Sequence, residues 1–268
     1  AVKDFHGCVQ RSVDDRYWVV PTFHPSHLQR GAMNLLEVVT QDLQLADRVS
    51  QRGFSRTPTT LVVDPHPDWF AAWVDHHLAL TTADVESSHL AIDTEFQEKS
   101  GGVDESEVVL ADTRSPLTRI NGARDATTGW TVPAREPYLS IARRLVEGVS
   151  SRNGWIWMWN KYADLDHLWA LGWSVGNEFV IDAMWLWHYL QSDLPRGLGF
   201  VAPMASDFGA WKHLAKIPAR EGEYAAIDGV QTWRTAMWLL RAAQRERVWE
   251  LFLTDWHERD CFVLRPAM

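Results

Sequence analysis

Apolar positions along the chain follow two rhythms. Over 32–50 they recur every three or four residues, which predicts a helix. Short apolar runs at WVVPTF (18–23), LVVD (61–64) and HLAIDTEF (89–96) predict strands. The polar stretch QRGFSRTPTT (51–60) reads as a linker and is the best domain boundary. Pro67 and Asp68 open a helix predicted over 67–78. EKSGGVDE (98–105) predicts a turn and EVVLADTR (107–114) a second strand, with a third near GWTVP (129–133) after a weakly patterned stretch. A helix is predicted over 137–150, a strand at WIWMWN (155–160), and a helix at KYADLDHLWALG closed by Gly172. The apolar stretch 180–190 reads as a continuing helix, and 220–252 holds one or two long helices. Strands first, then strands alternating with helices, predict an α/β fold with a mixed sheet. No internal repeat and no low-complexity tract interrupts this order.

Composition bounds the picture further. With 268 residues, 46% of them hydrophobic, the chain can bury a sizeable core as one large domain or a domain plus pieces. A net charge of −9 argues against a broad surface that coats nucleic acid. It leaves room for an acidic site neutralised by metal. Cys8 and Cys261 show no zinc-ligand spacing and imply no disulfide framework, which fits a reducing cytoplasm. No apolar run of about 18 residues predicts a membrane span, and no basic-then-apolar leader is present. The limits at Ala1 and Met268 suggest a fragment of a longer protein. Sixteen Trp residues are an excess that composition does not explain. In WIWMWN the Trp side chains alternate onto one face, as in a core strand. His66, His76 and His77 read as surface residues.

Candidate chemistry lies in three acidic segments. Asp93 and Glu95 stand two apart in a predicted strand, so their carboxylates face the same side. Like charges that close repel and raise each other's pKa unless a cation lies between them. Asn160 and Asp164 stand four apart where a strand gives way to a helix, and Tyr224 and Asp228 four apart within a helix, where i and i+4 share a face. Four carboxylates and a tyrosine from three segments would make an all-oxygen site, suited to hard cations such as Mg²⁺ or Mn²⁺. Two such ions about 4 Å apart stabilise both the attacking and the leaving oxygen at phosphorus. Each pair alone is commonplace. Together, in order and on fitting elements, they are a much stronger signal.

The order IDTE, NKYADL, YAAID resembles the three exonuclease motifs of the DEDDy 3′–5′ exonucleases, whose fold is RNase H-like (DnaQ-like): a mixed sheet flanked by helices. YAAIDGVQTWR is similar to the third motif of family A DNA polymerases. The stretch 182–212 looks like the segment between motifs two and three in the phage members of that family. The resemblance covers roughly 58–268 and implies an exonuclease domain over 58–243. It implies two divalent cations, with Asp93, Glu95 and Asp228 holding the one that carries the attacking water. Asp93 would bridge to a second ion, reached by Asp164 directly or through water. Tyr224 would orient the water, since a phenol with an ordinary pKa near 10 is a poor base. Asn160 and Phe96 would meet the substrate, and Asp182 would be auxiliary. Asp166 is a rival to Asp164, because the motif-two match is short. Trp159, Ala163 and Phe96 depart from the usual neighbours of these motifs. The implied substrate is the 3′ end of single-stranded or frayed DNA, cut to nucleoside 5′-monophosphates during proofreading.

VVPTFHPSHLQRG (19–31) resembles the second active-site motif of small uracil-DNA glycosylases, where His24 would contact the uracil carbonyl. The first motif of that family is absent and residues 1–57 are too few for its fold, so they are expected to be the remnant of such a domain, a small α/β piece. LRPAM (264–268) looks like the lead-in to a polymerase, which makes 244–268 a helical connection. The expected partner is then a polymerase domain in cis or in trans, in the host cytoplasm if the protein is phage-encoded. Two other readings stay open: a catalytically silent DNA-binding or scaffold domain, and an RNase D-like RNA exonuclease, which the DTEF string favours.

Overall fold

HLAIDTEF forms the strand expected of it, at the centre of a six-stranded sheet. The structure, a computed structural model, describes residues 2–80, 88–96 and 116–260. In chain order, a two-stranded antiparallel ribbon of β1 (Gln10–Arg11) and β2 (Trp18–Val19) precedes α1 (Pro25–Gln29) and α2 (Leu36–Arg52). Then come β3 (Thr60–Val63), α3 (Pro67–Ala79), β4 (His89–Phe96), β5 (Leu117–Ala123), β6 (Thr128–Pro133) and α4 (Tyr138–Ser150). The chain continues through β7 (Trp155–Met158), α5 (Lys161–Ala170), β8 (Val180–Asp182), α6 (Ala183–Leu190), α7 (Leu198–Ala205), α8 (Glu221–Arg245) and α9 (Trp249–Phe252). The sheet order is β3-β6-β5-β4-β7-β8. β5 runs antiparallel to both neighbours and the other pairs are parallel. The protein is thus α/β, with a mixed sheet flanked by helices. Among the described residues, no helix is long and apolar enough to cross a membrane.

The period of two along β4 and β7 sorts residues onto two faces. Leu90, Ile92, Ile156 and Met158 join one core with Phe70 and Val74 of α3 and Ala142, Leu145 and Val149 of α4. Trp157 turns the other way, with Trp155 and Trp159 packed against the same core, which α6, α7 and α8 complete. The Trp excess acquires a physical account here. Trp185, Trp187, Trp233, Trp238, Trp249 and Trp256 gather around the same core, where each ring contributes a large apolar area. Trp157 donates to His89 and Trp187 to the Pro195 carbonyl.

α8 lies across β4, β5 and β6, and it comes close because the contact is built of glycine. A Cβ on Gly229 would sit 2.7 Å from the Gly122 Cα and N of β5. The obstacle is backbone, which cannot swing aside. Gly229→Ala is therefore expected to destabilise the fold by about 2 kcal/mol net in a denaturant titration, overpacking outweighing the gain in helix propensity. An unchanged or raised stability would contradict this packing.

The N-terminal ribbon and α2 are fastened to the rest by a buried polar knot. His6 Nε2 pairs with the Phe200 carbonyl at 2.8 Å and its Nδ1 lies 3.4 Å from Asp42, which also accepts from Thr22 Oγ1 at 2.8 Å. Burial, with Asp42 nearby, pushes the Cys8 thiol up to about 12, so it stays protonated.

Several elements differ from their sequence expectation. The strand at 18–23 shortens to Trp18–Val19. The turn at 98–105 and the strand at 107–114 lie outside the described residues. The antiparallel partner of β4 among the described residues is β5, in the weakly patterned stretch. Residues 180–182 are a strand, and the helix begins only at Ala183 because the Asp182 carboxylate caps the Met184 and Trp185 N–H groups. α7 was not anticipated, since Pro203 sits inside it. The helix over 220–252 breaks at Arg247, whose φ is 60°. His77 is half-buried against Trp73, with ring centroids 4.0 Å apart, and burial lowers its pKa to about 4. His66 and His76 are exposed, as expected.

Candidate metal centre

The strand period places Asp93 and Glu95 on the face of β4 that meets α8. Asn121 stands opposite Asp93 in the register, and its side-chain N–H₂ donates to Asp93 at 2.6 Å and to the Ala225 carbonyl of α8 at 2.9 Å. One amide thus ties strand, neighbouring strand and helix together beneath the acids. α8 brings Asp228 beside them. Asp93, Glu95 and Asp228 each offer a carboxylate oxygen, all within 4.8 Å of one another.

So many buried acids carry an electrostatic cost. Burial, then repulsion from Asp228, pushes Asp93 up to about 7, although Lys212 and Asn121 pull the other way. Burial, then Asp93 and Asp228, pushes Glu95 up to about 9. Burial and the neighbouring Asp228 also raise the Tyr224 phenol, which stays protonated at neutral pH.

Asp164 approaches from the first turn of α5. Its Oδ1 accepts from the Thr94 N–H at 2.9 Å and the Thr94 hydroxyl at 2.6 Å, between the two β4 acids. It is not one of the three in the close group. Burial and the charge of Asp93 raise its pKa. Asp166 lies roughly 200° further round the helix, which favours Asp164 as the residue facing the acids. Asn160 precedes α5 in the left-handed conformation, φ 66° and ψ 65°, which Asn tolerates better than most residues. The Asn160 and Lys161 N–H groups donate to Asp182 at 3.3 and 3.0 Å. Asp182 therefore fixes the turn before α5 and the start of α6 together. Burial raises Asp182 to about 6, the Lys161 ammonium opposing.

An open cleft of about 590 Å³ leads to the cluster, lined by Asp93, Glu95, Asn160, Tyr224 and Asp228. Trp159, Met184, Leu198 and Phe200 add apolar surface, and Lys3, Arg196 and Lys212 add positive charge. Phe96 and His24 are not brought into it. Phe96 stacks on His167 at the end of β4, ring centroids 5.0 Å apart. His24 is exposed and caps α1, accepting from the Ser26 N–H.

Sequence reasoning missed Asn121, Lys212 and Trp211. The Lys212 ammonium bonds both Asp228 oxygens at 2.9 and 2.8 Å and the Tyr224 hydroxyl at 3.2 Å. The Trp211 indole donates to Asp228 as well. No local pattern marks them, because each acts on a residue outside its own element.

The donor set fits a hard divalent cation. It is all oxygen, it is crowded, and its acids repel one another with one ammonium among them to offset the charge. Compared with known proteins, the chain matches no family model and no curated sequence.

Proposed function

We propose that the protein is a metal-dependent 3′–5′ exonuclease of RNase H-like fold. It hydrolyses the terminal phosphodiester of single-stranded or frayed DNA and releases nucleoside 5′-monophosphates, in proofreading for a polymerase domain in cis or in trans. The observation that carries this reading is the Asp93–Glu95–Asp228 group at the end of an open cleft, with Tyr224, Asn160 and Asp164 around it. The sheet order is compatible with that fold.

Asp93, Glu95 and Asp228 would hold one cation, and Asp164 would serve a second beside Asp93. Bound Mg²⁺ or Mn²⁺ would supply a more acidic water and neutralise charge at phosphorus. Water oxygen joins the last phosphorus, the bond to the 3′ oxygen of the preceding nucleotide breaks, and that oxygen takes a proton. The Tyr224 phenol, protonated at neutral pH, orients the water instead of deprotonating it. Asn160 meets the terminal nucleotide at the cleft wall. Lys212 brings fixed positive charge to a place where an anionic substrate must enter.

The test is digestion of single-stranded DNA with Mg²⁺ or with chelator, products separated against nucleoside 5′- and 3′-monophosphate standards. Metal-dependent release of 5′-monophosphates is expected. Lys212 also favours a second reading, because its ammonium satisfies Asp228 within the chain. A silent nucleic-acid-binding domain would bind the strand and release nothing in Mg²⁺ or Mn²⁺.

A further inference from the structure

A second groove begins where the acidic cleft ends. Lys212 lines the cleft, while its neighbours Trp211 and His213 line a groove of about 670 Å³. The N-terminal turn divides in the same way, Lys3 facing the cleft and Phe5 the groove. We propose that this groove binds the phosphodiester backbone of the single strand whose 3′ end lies in the cleft. Residues 1–57 are then part of the substrate surface. The inference rests on the exonuclease reading for its occupant.

Charge is the first argument. In a chain of net charge −9, the groove gathers Arg11, Arg56 and Arg220 against a single acid, Glu223. The Arg11 guanidinium lies over the Trp18 ring, 3.7 Å from its centroid, and Arg11 and Arg220 make exposed ion pairs with Asp15 and Glu223. Such pairs contribute little, so exchanging them for phosphates costs little. The second argument is aromatic surface. Phe5 stacks on the exposed His213, centroids 6.1 Å apart, and Phe208 lies along the same wall. Basic side chains interleaved with rings are the means by which proteins hold single strands without reading sequence. The third is rigidity. The His6–Phe200 and His6–Asp42 contacts fix the turn that carries Lys3 and Phe5, and Arg56 donates to the Val9 carbonyl at 2.9 Å. The groove is a built surface.

The test is fluorescence anisotropy of labelled 12-nucleotide DNA and RNA strands on the full chain, with chelator present, over a range of salt. The variant Arg11→Gln/Arg220→Gln leaves Arg56 in its structural bond. Its expected effect is roughly tenfold weaker binding at low salt, with the log–log salt slope flattened by about 1.4. The control Arg143→Gln/Arg144→Gln removes equal charge from α4, on the opposite face of the sheet, and is expected to bind like the parent. Equal losses on DNA and RNA assign the groove to phosphates; a loss on one alone adds recognition of the sugar. Parental affinity and slope in the groove variant overturn the proposal. So does a polyglutamate peptide that binds more tightly than either strand and is the only ligand weakened by the variant. Hydrolysis is a separate readout: binding through the groove without cleavage refutes the exonuclease reading and keeps the groove, and cleavage with parental binding in the variant does the reverse.

Discussion

Asp93→Asn is expected to lower hydrolysis by roughly 10³-fold or more, the loss of several kcal/mol of charge stabilisation at phosphorus, and to raise the melting temperature of the metal-free protein. Both effects have one cause. Asp93 supplies an oxygen to the close group, so removing its charge weakens cation binding. It is also repelled by Asp228 while buried, so the same change relieves strain when no cation is bound. Asn keeps an acceptor for Asn121, which limits rearrangement. The pH dependence follows in sign. The pKa values of Asp93 and Glu95 rise on folding, from 3.8 to about 7 and from 4.5 to about 9. The folded state therefore binds these protons more tightly than the unfolded chain. That contribution is full below about pH 4 and is lost as pH climbs through the two folded values. In chelator, the melting temperature is expected to fall between pH 6 and pH 9, less steeply in Asp93→Asn. Saturating Mg²⁺ at pH 8 is expected to raise it in the parent more than in the variant. A variant that melts lower at pH 8 in chelator would refute the electrostatic account.

Lys161→Met is expected to cost about 3–5 kcal/mol of folding stability, because it strands a buried charge. The Lys161 ammonium lies 2.5 Å from Asp260 and donates to Asn177 at 2.9 Å and to the Val180 carbonyl at 3.3 Å. Both side chains of the ion pair are almost wholly inaccessible. Asp260 also accepts from the Tyr162 hydroxyl, too little to offset a lost ammonium. The double variant Lys161→Met/Asp260→Leu is expected to recover most of the loss, since an apolar pair of similar volume carries no desolvation cost. Denaturant titration of both variants checks this. A double variant as unstable as the single one would mean that packing, not charge, is at stake. The pair also links the segment after α9 to the α5 turn that presents Asn160 and Asp164.

The sequence made β4 legible because its apolar residues flank the two acids, α3 because Pro67 and Asp68 open it, and α4 because its apolar spacing is regular. β5 was not legible. LTRINGA carries Asn121 and Gly122 where a strand usually carries bulk: Asn121 reaches the Ala225 carbonyl of α8, and a Cβ on Gly122 would meet the Ala91 carbonyl and the Trp130 ring. Small and polar residues are what these contacts require, and they erase the strand pattern. β8 was hidden by an apolar run that resumes in α6 directly after Asp182; the cap at Asp182 was the available signal. Among the site residues, Asp93, Glu95, Asp164, Tyr224 and Asp228 could be read because each pair shares one element. Asn121 and Lys212 could not, since they reach their partners through the packing of distant segments. The excess of Trp became intelligible only once β7, α6, α8 and α9 were seen around one core.

One measurement bears most directly on the central claim. Single-stranded DNA labelled at the 5′ end, and the same strand labelled at the 3′ end, are digested with the parent and with Asp93→Asn, in Mg²⁺ and in chelator. The account predicts that in Mg²⁺ the parent gives a 5′-labelled ladder shortening by single nucleotides and loses the 3′ label at once as a mononucleotide. Chelator and Asp93→Asn abolish both. Intact strands with folded parent in Mg²⁺ and Mn²⁺, or a ladder that persists in Asp93→Asn, would contradict it.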